Sequence, residues 1–370
     1  MKQESRRKVL QKRVYADWAA TSPLCPQAVK SMMEAMEIYG NPSSLHADGV
    51  AAKEIVEKAR KQVADLINAE PEEIYFTSGA TESNVWALKG EKFPLVSCIE
   101  HSSILKRPGL YPTFLPVNRR GEVFLPDKHK YMDMLPSMVS VMAVNNETGV
   151  IQNVKYFCEW AHENNMWFHT DATQAVGHIP VDVKELGCDL LSMSAHKFGG
   201  PKGVGALYIK NGYEKRPMMY GGGQESGLRG GTENVIGIAG MGGAAEFYKD
   251  WEEEHSSYSW FLQKRLEEKV LAVYGVLIAG FEASRSNSIT DFLFEGIEGP
   301  AMVLALDKRG VSASSGSACS EGEYGPSHVI KAMGLEKYGS LRISLGWRTT
   351  VQDVDDIAEA ISESVKGLRG

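Results

Sequence analysis

The chain has 370 residues, 43% of them hydrophobic and 24% charged, enough to bury a substantial core and to form two domains. A formal net charge of -7 argues against a general nucleic-acid binder, whose electrostatic footprint is basic. The five cysteines are scattered and include no Cys-x-x-Cys pair, so neither a disulfide framework nor a zinc or other metal site is expected, and a reducing, cytoplasmic setting fits them.

The opening Met1 to Arg13 is rich in Lys and Arg and reads as a solvated extension, with a targeting or partner-binding tail as the alternative. No apolar run approaches the length that crosses a membrane. Apolar residues at helical spacing from Ala51 to Ile67 predict a long amphipathic helix. A short strand at Ile74 to Phe76 follows, and Thr77-Ser78-Gly79-Ala80-Thr81-Glu82 reads as a tight turn opening a helix through Leu88. Short apolar runs at Leu95 to Cys98, Met138 to Val144, Met166 to His169, Leu190 to Met193 and Val204 to Ile209 alternate with turns or helical segments such as Val154 to Glu163. This alternation predicts an α/β fold with a mostly parallel, helix-covered sheet. From Glu233 to Val270 the chain reads as helical. Strands at Val276 to Ala279, Ser288 to Phe294 and Leu341 to Leu345 then interleave with helices at Pro300 to Lys308 and Val351 to Leu368, predicting a second, smaller α/β domain. The expected division is a large domain over residues 17–255 and a smaller unit formed by 1–16 and 256–370.

Lys197 lies in Ser194-Ala195-His196-Lys197, shortly after Asp171-Ala172-Thr173-Gln174. Desolvation among Leu191, Met193 and Ala195 favours the neutral amine that forms a Schiff base, and a carboxylate at Asp171 would keep a pyridine nitrogen protonated. The pair therefore points to a pyridoxal 5'-phosphate enzyme. Thr77 to Thr81 offers free backbone N–H groups and hydroxyls at a helix start, a cradle for phosphate, although the same residues serve as a plain helix cap. Gly221 to Gln224 and Arg229-Gly230-Gly231-Thr232 form a glycine-rich stretch that lets backbone approach a ligand or serves as a connector. Glu100-His101 ends one apolar strand, placing His101 to stack on a ring or to move protons, and Asn145-Asn146-Glu147 ends the next.

In this order the motifs are specific. With Asn41-Pro42-Ser43-Ser44-Leu45-His46 and Gly200-Pro201-Lys202-Gly203, the sequence after Tyr15 resembles the cysteine desulfurases, in the class V aminotransferase branch of pyridoxal phosphate enzymes of fold type I. The resemblance implies that Lys197 anchors the cofactor, Asp171 pairs with its ring nitrogen, and His101 lies on its ring. Gln174 and Asn146 contact the ring oxygen, and Ala80, Thr81, Ser194 and His196 hold the phosphate. It further implies a homodimer in which Thr232 reaches the phosphate of the partner subunit. Arg342, in Ser340-Leu341-Arg342-Ile343-Ser344, matches the arginine that takes the substrate α-carboxylate as a bidentate fork; Asn146 is expected beside it.

Residues 314–327 lack an apolar period and are full of turn formers, so Cys319 is expected on an exposed loop, unlike Cys98, Cys158 and Cys188. This stretch resembles the longer catalytic loop of the family. The implied reaction converts L-cysteine to L-alanine: Lys197 removes the α-proton, His101 handles protons at sulfur, and Cys319 takes the sulfur as a persulfide. An acceptor protein for iron-sulfur cluster assembly or thiolation follows from the same resemblance. A selenocysteine lyase or class V aminotransferase would share the Lys197 set, and a noncatalytic sulfur-relay subunit is the alternative outside enzymes. Trp18, Ser226 and Trp347 depart from the family pattern, Trp18 close to the expected substrate entrance. The sequence ends at Gly370, without the tail by which housekeeping members engage a scaffold, which leaves the acceptor open.

Overall fold

The computed structural model describes residues 13–125, 136–214, 216–316 and 325–370; Cys319 and most of the basic opening segment lie outside the described residues. Strand β1 (Val14–Tyr15) leads into helices α1 (Pro26–Met36) and α2 (Ala47–Leu66). Next come β2 (Ile74–Thr77), α3 (Ala80–Ala87), β3 (Leu95–Ser97), α4 (Ser102–Leu105), β4 (Thr113–Leu115) and β5 (Met138–Ser140). The same layer continues through α5 (Val154–Glu163), β6 (Trp167–Asp171), α6 (Val183–Leu186), β7 (Leu190–Ser194) and β8 (Gly205–Ile209).

Seven of these strands form one sheet in the order β2-β8-β7-β6-β5-β3-β4. Pairs β3-β4, β3-β5, β5-β6 and β6-β7 are parallel, whereas β8 runs antiparallel to both β7 and β2. The sheet is mostly parallel, as its crossovers predict. Side chains alternate between two apolar layers: Val139, Leu191 and Met193 face one core, and Met138 and Leu190 the other. Burial on both faces explains why these strands read as continuous apolar runs.

Helix α7 (Val235–Leu271) passes from one core to another: Ile238, Met241 and Ala245 pack with the large sheet, while Leu262, Leu266 and Val270 pack with the following segment. That segment comprises β9 (Val276–Ile278), β10 (Ile289–Glu295), α8 (Gly299–Lys308), β11 (Val311–Ser312), α9 (His328–Ala332), β12 (Tyr338–Ser344) and α10 (Val351–Arg369). Its sheet, β12-β10-β9, is antiparallel, and β1 pairs with β11 beside it. Helix α10 starts on a capping box between Thr350 and Asp353 and buries Val354, Ile357, Ile361 and Val365, the apolar stripe expected from 3.6-residue spacing.

One close backbone approach shapes the wall of the site described below. A Cβ on Gly205, at the start of β8, would lie 2.6 Å from the Met193 carbonyl oxygen and 2.7 Å from Gly79 Cα. Gly205→Ala should therefore push β8 off the turn before α3 and destabilise the protein by about 1–3 kcal/mol. Thermal or urea denaturation of the purified variant checks this; an unchanged midpoint would show that the turn yields freely.

Candidate active site

The carboxyl ends of β3, β6 and β7, and the chain beyond β5, converge on one side of the sheet, where open α/β folds bind ligands. A cavity of about 530 Å³ lies there. Ala80, Thr81, His101, Asn146, Asp171, Gln174, Ser194, His196, Lys197 and Arg342 all line it, although they come from segments spread over most of the chain. Thr232 does not line this cavity and is solvent-exposed.

Lys197 follows β7 in a short turn, and its Nζ donates to the carbonyls of Ala19 at 2.6 Å and Ala20 at 2.9 Å. Asp171 ends β6. Its Oδ2 accepts from Asn84 Nδ2 at 2.7 Å and its Oδ1 from the Thr173 N–H at 3.0 Å, so the carboxylate is held from two sides. Asn84 also donates to Ser103 Oγ at 2.9 Å, and that hydroxyl lies 2.8 Å from His101 Nδ1. The Ser103 backbone N–H donates to the same Nδ1 at 3.2 Å, which places the proton of a neutral His101 ring on Nε2. Gln174 Nε2 donates to the Ala19 carbonyl at 2.9 Å.

Beside these groups stands an anion cradle. The Ser78 to Thr81 backbone opens α3, and Ser194 Oγ lies 3.7 Å from the Cβ position of Gly79. His196 Nδ1 pairs with Thr21 Oγ1 at 3.2 Å. Burial first, and then the positive charges of Lys197 and Lys202, hold the His196 imidazole down at about 4, so it meets an anion as a neutral ring. Arg229 ties the glycine-rich stretch to the same helix through its ion pair with Glu82, Nε to Oε1 at 2.8 Å.

Arg342 reaches the cavity from β12. Its side chain is 2% exposed, with Nη1 donating to the Asn146 carbonyl and Nη2 to Asp17 Oδ1, both at 2.8 Å. Asn84, Ser103, Thr173 and Asp17 were not singled out by the sequence reading. Asn84 had a signal: it follows Thr81 by three residues on one helix and so shares its face. The others act through turns that periodicity does not encode. Trp18 does not line the cavity. It is 4% exposed, donates from Nε1 to the Tyr15 carbonyl at 2.9 Å, covers Gly346, and meets Trp347 edge-on at a centroid distance of 6.4 Å. Ser226 sits at φ 56° on the exposed glycine-rich stretch.

The mostly parallel, helix-covered sheet is that of fold type I, the fold of one large class of pyridoxal phosphate enzymes, and the aminotransferase class-V family profile matches residues 14–357. The cysteine desulfurase IscS of Methanosarcina thermophila is 42% identical over 97% of this chain and 93% of its own length. Cysteine desulfurase IscS 1 of Archaeoglobus fulgidus is 40% identical over 96% of this chain and 97% of its own. Among solved structures, a NifS-like protein from Rickettsia africae superposes with a TM-score of 0.87 at 32% identity, covering 96% of this chain and 99% of its own. The chain belongs to the cysteine desulfurases of the class V aminotransferase family.

A buried acid underlies the cavity floor. Glu100 is fully buried; its Oε1 accepts from Ser97 Oγ at 2.7 Å and from the Met142 N–H at 2.6 Å, while Oε2 has no partner among the described residues. Burial, with the Asp171 charge adding to it, pushes Glu100 up to about 8. His101 is shifted the other way, held below its ordinary value chiefly by burial and further by Lys197 and His328, against the pull of Asp171. Folded Glu100 keeps a proton that the unfolded chain releases above about pH 4.5, so its contribution to stability falls as pH rises through 8. His169 and His196, both held near 4, oppose this only below about pH 6.5. Between pH 6.5 and 8 the melting temperature should therefore fall, with a contribution on the order of 1 kcal/mol per pH unit from Glu100. Calorimetry of Glu100→Gln should show a shallower fall over that interval; an unchanged slope would remove Glu100 as its source.

Proposed function

We propose that this protein converts L-cysteine to L-alanine, with pyridoxal 5'-phosphate held in the cavity and Cys319 receiving the sulfur as a persulfide. The observation that carries the reading is the convergence, in one cavity, of Lys197, Asp171, the Thr81–Ser194–His196 cradle and Arg342. The donor set fits the cofactor: a lysine amine, an acceptor carboxylate, and a helix start beside hydroxyls. The buried Thr173 Oγ1 in the cavity wall has no partner within the described chain. A solved relative at 31% identity with TM-score 0.78 is described as "SspA in complex with cysteine".

Bound pyridoxal phosphate supplies an electron sink for the charge left when the substrate loses its α-proton. The chain's residues do the rest. Arg342 binds the substrate carboxylate and orients the α-carbon, and Asn146 borders it. Lys197 Nζ takes the α-proton, a role suited to an amine that the Ala19 and Ala20 carbonyls already position. As the Cys319 sulfur bonds to the substrate sulfur and the C–S bond breaks with its electron pair left on the substrate, His101, neutral with its proton on Nε2, gives that proton to the substrate carbon and recovers one from the Cys319 thiol. Asp171, gripped by Asn84 and the Thr173 N–H, would pair with the ring nitrogen of the cofactor.

Thr232, exposed and away from its own cavity, fits a role at the site of a second copy. An apolar surface on and after α1, with Met33, Met36, Tyr39 and Leu45 at least 57% exposed, supports a homodimer. The four described cysteines are unpaired, which supports a reducing, cytoplasmic setting, and none of the described helices is long and apolar enough to cross a membrane. The persulfide would be handed to an acceptor protein for iron-sulfur assembly or thiolation. The two cores joined through α7 support a large domain over 17–255 and a small one containing 256–370.

Incubated with L-cysteine, the purified protein should release alanine and gain a protein-bound persulfide. Cys319→Ala should keep the cofactor absorbance and lose the persulfide, whereas Lys197→Ala should lose the lysine-linked absorbance band. Equal alanine formation and persulfide loading by Cys319→Ala would overturn the assignment of the sulfur acceptor, and running L-selenocysteine and keto acids alongside separates the neighbouring activities.

A further inference from the structure

Arg342 is held in place before any substrate arrives. Its backbone is fixed by a reciprocal pair with Ser314, the Arg342 N–H to the Ser314 carbonyl at 2.7 Å and the Ser314 N–H to the Arg342 carbonyl at 3.3 Å. Its guanidinium is fixed at both terminal nitrogens, by the Asn146 carbonyl and by Asp17 Oδ1. Each terminal nitrogen bears two N–H bonds, so one on each is left for a carboxylate, the pairing that a bidentate fork needs. Asp17 is itself anchored. Its carbonyl accepts from the Ala20 N–H at 3.1 Å, and it bridges to Ser344, two residues beyond Arg342 on β12.

We infer that Asp17 is a positioning residue for substrate: it aims the Arg342 fork at the cavity without touching the substrate. Asp17 is absent from the cavity wall, whereas Arg342 lines it, so the two carboxylates, that of Asp17 and that of the substrate, meet the guanidinium at different N–H groups. Asp291 is paired directly across the sheet with Arg342 and is fully buried; it bonds to Ser340 Oγ at 2.7 Å instead of closing on the guanidinium. Among the described residues Asp17 is thus the carboxylate hydrogen-bonded to Arg342, and without it the long side chain would have to be ordered by the substrate itself. The inference rests on the proposed reading of Arg342 as the carboxylate-binding residue.

The test measures steady-state kinetics with L-cysteine and spectral titration with cysteamine, which has the amine and thiol but no carboxylate, on Asp17→Ala, Asp17→Asn and Arg342→Ala. Asp17→Ala should raise KM for L-cysteine about tenfold, the size of the entropy of immobilising one long side chain. It should leave kcat within about twofold and cysteamine binding unchanged, because only the fork is disturbed. Asp17→Asn, which keeps an oxygen for Nη2, should restore much of the loss. If Asp17→Ala fails to fold, Asp17→Val takes its place, with the same raised KM and unchanged cysteamine binding expected. An unchanged KM would overturn the inference, and so would a lowered KM, which would make Asp17 a competitor for the fork. Equal weakening of cysteamine and L-cysteine would also overturn it, by assigning Asp17 to the fold. If Arg342→Ala keeps normal L-cysteine binding, the reading of Arg342 itself fails; if only the Asp17 variants behave as wild type, that reading stands and the positioning role falls.

Discussion

The turn from Asp17 to Ser22 is the point to which the rest of the site is referenced. The Ala19 carbonyl accepts from both Lys197 Nζ and Gln174 Nε2, the Ala20 carbonyl from Lys197, and Thr21 Oγ1 pairs with His196. Ser22 Oγ donates to the His196 carbonyl at 2.9 Å and accepts from the Gly199 N–H at 2.7 Å. Buried polar groups must find partners, and here the partners of the strand-end residues are concentrated on one short segment. That segment is also tied to the later strands, since β1 before it pairs with β11 and Asp17 bridges to Ser344. The seat of the small sheet and the wall of the cavity are therefore fixed by the same residues.

Much of this architecture was legible from periodicity. The stripe on α10, the span of α7 and the alternation of strands with helices follow from which faces must be buried, and their ends agree with the structure within a few residues. Strand direction was not legible: β8 is buried on both faces like its parallel neighbours, and an apolar run carries no sign of its orientation. The apolar run from Met138 to Val144 shows a related limit. Only Met138–Ser140 is regular strand, yet the N–H groups of Val141 and Ala143 still bond to the carbonyls of His169 and Asp171, extending the pairing irregularly toward Asn146. Lys197, Asp171 and His101 could be found because chemistry at the ends of a parallel sheet sits just after apolar runs. The chain from Asn84 through Ser103 to His101 could not, because it depends on how α3 lies against α4.

The two tryptophans that depart from the family pattern explain one another. Trp18 covers Gly346, where a Cβ would fall 2.1 Å from its ring, and its edge meets Trp347, which in turn packs against Phe247 at a centroid distance of 5.5 Å. A large ring at residue 18 thus requires glycine at 346 and is braced by the next residue. Trp18 stays out of the cavity, whose wall here is made by Ala19, Ala20 and Thr21. The effect of the two tryptophans on the reaction can only be transmitted through the turn they brace.

Charge in the cavity is arranged by the same logic of burial. Burial, with the nearby charge of Asp171 adding to it, makes Glu100 the carboxyl group that keeps its proton. Asp171 accepts bonds from Asn84 and the Thr173 N–H, whereas one oxygen of Glu100 has no donor among the described residues. The imidazoles follow the opposite sign of the same rule: His101 and His196 are kept neutral by desolvation beside Lys197. The basic side chains of Lys202 and Arg342 line the same cavity, suited to ligands that carry anions. Burial thus decides, in and beneath the cavity, which acid and which imidazoles stay neutral.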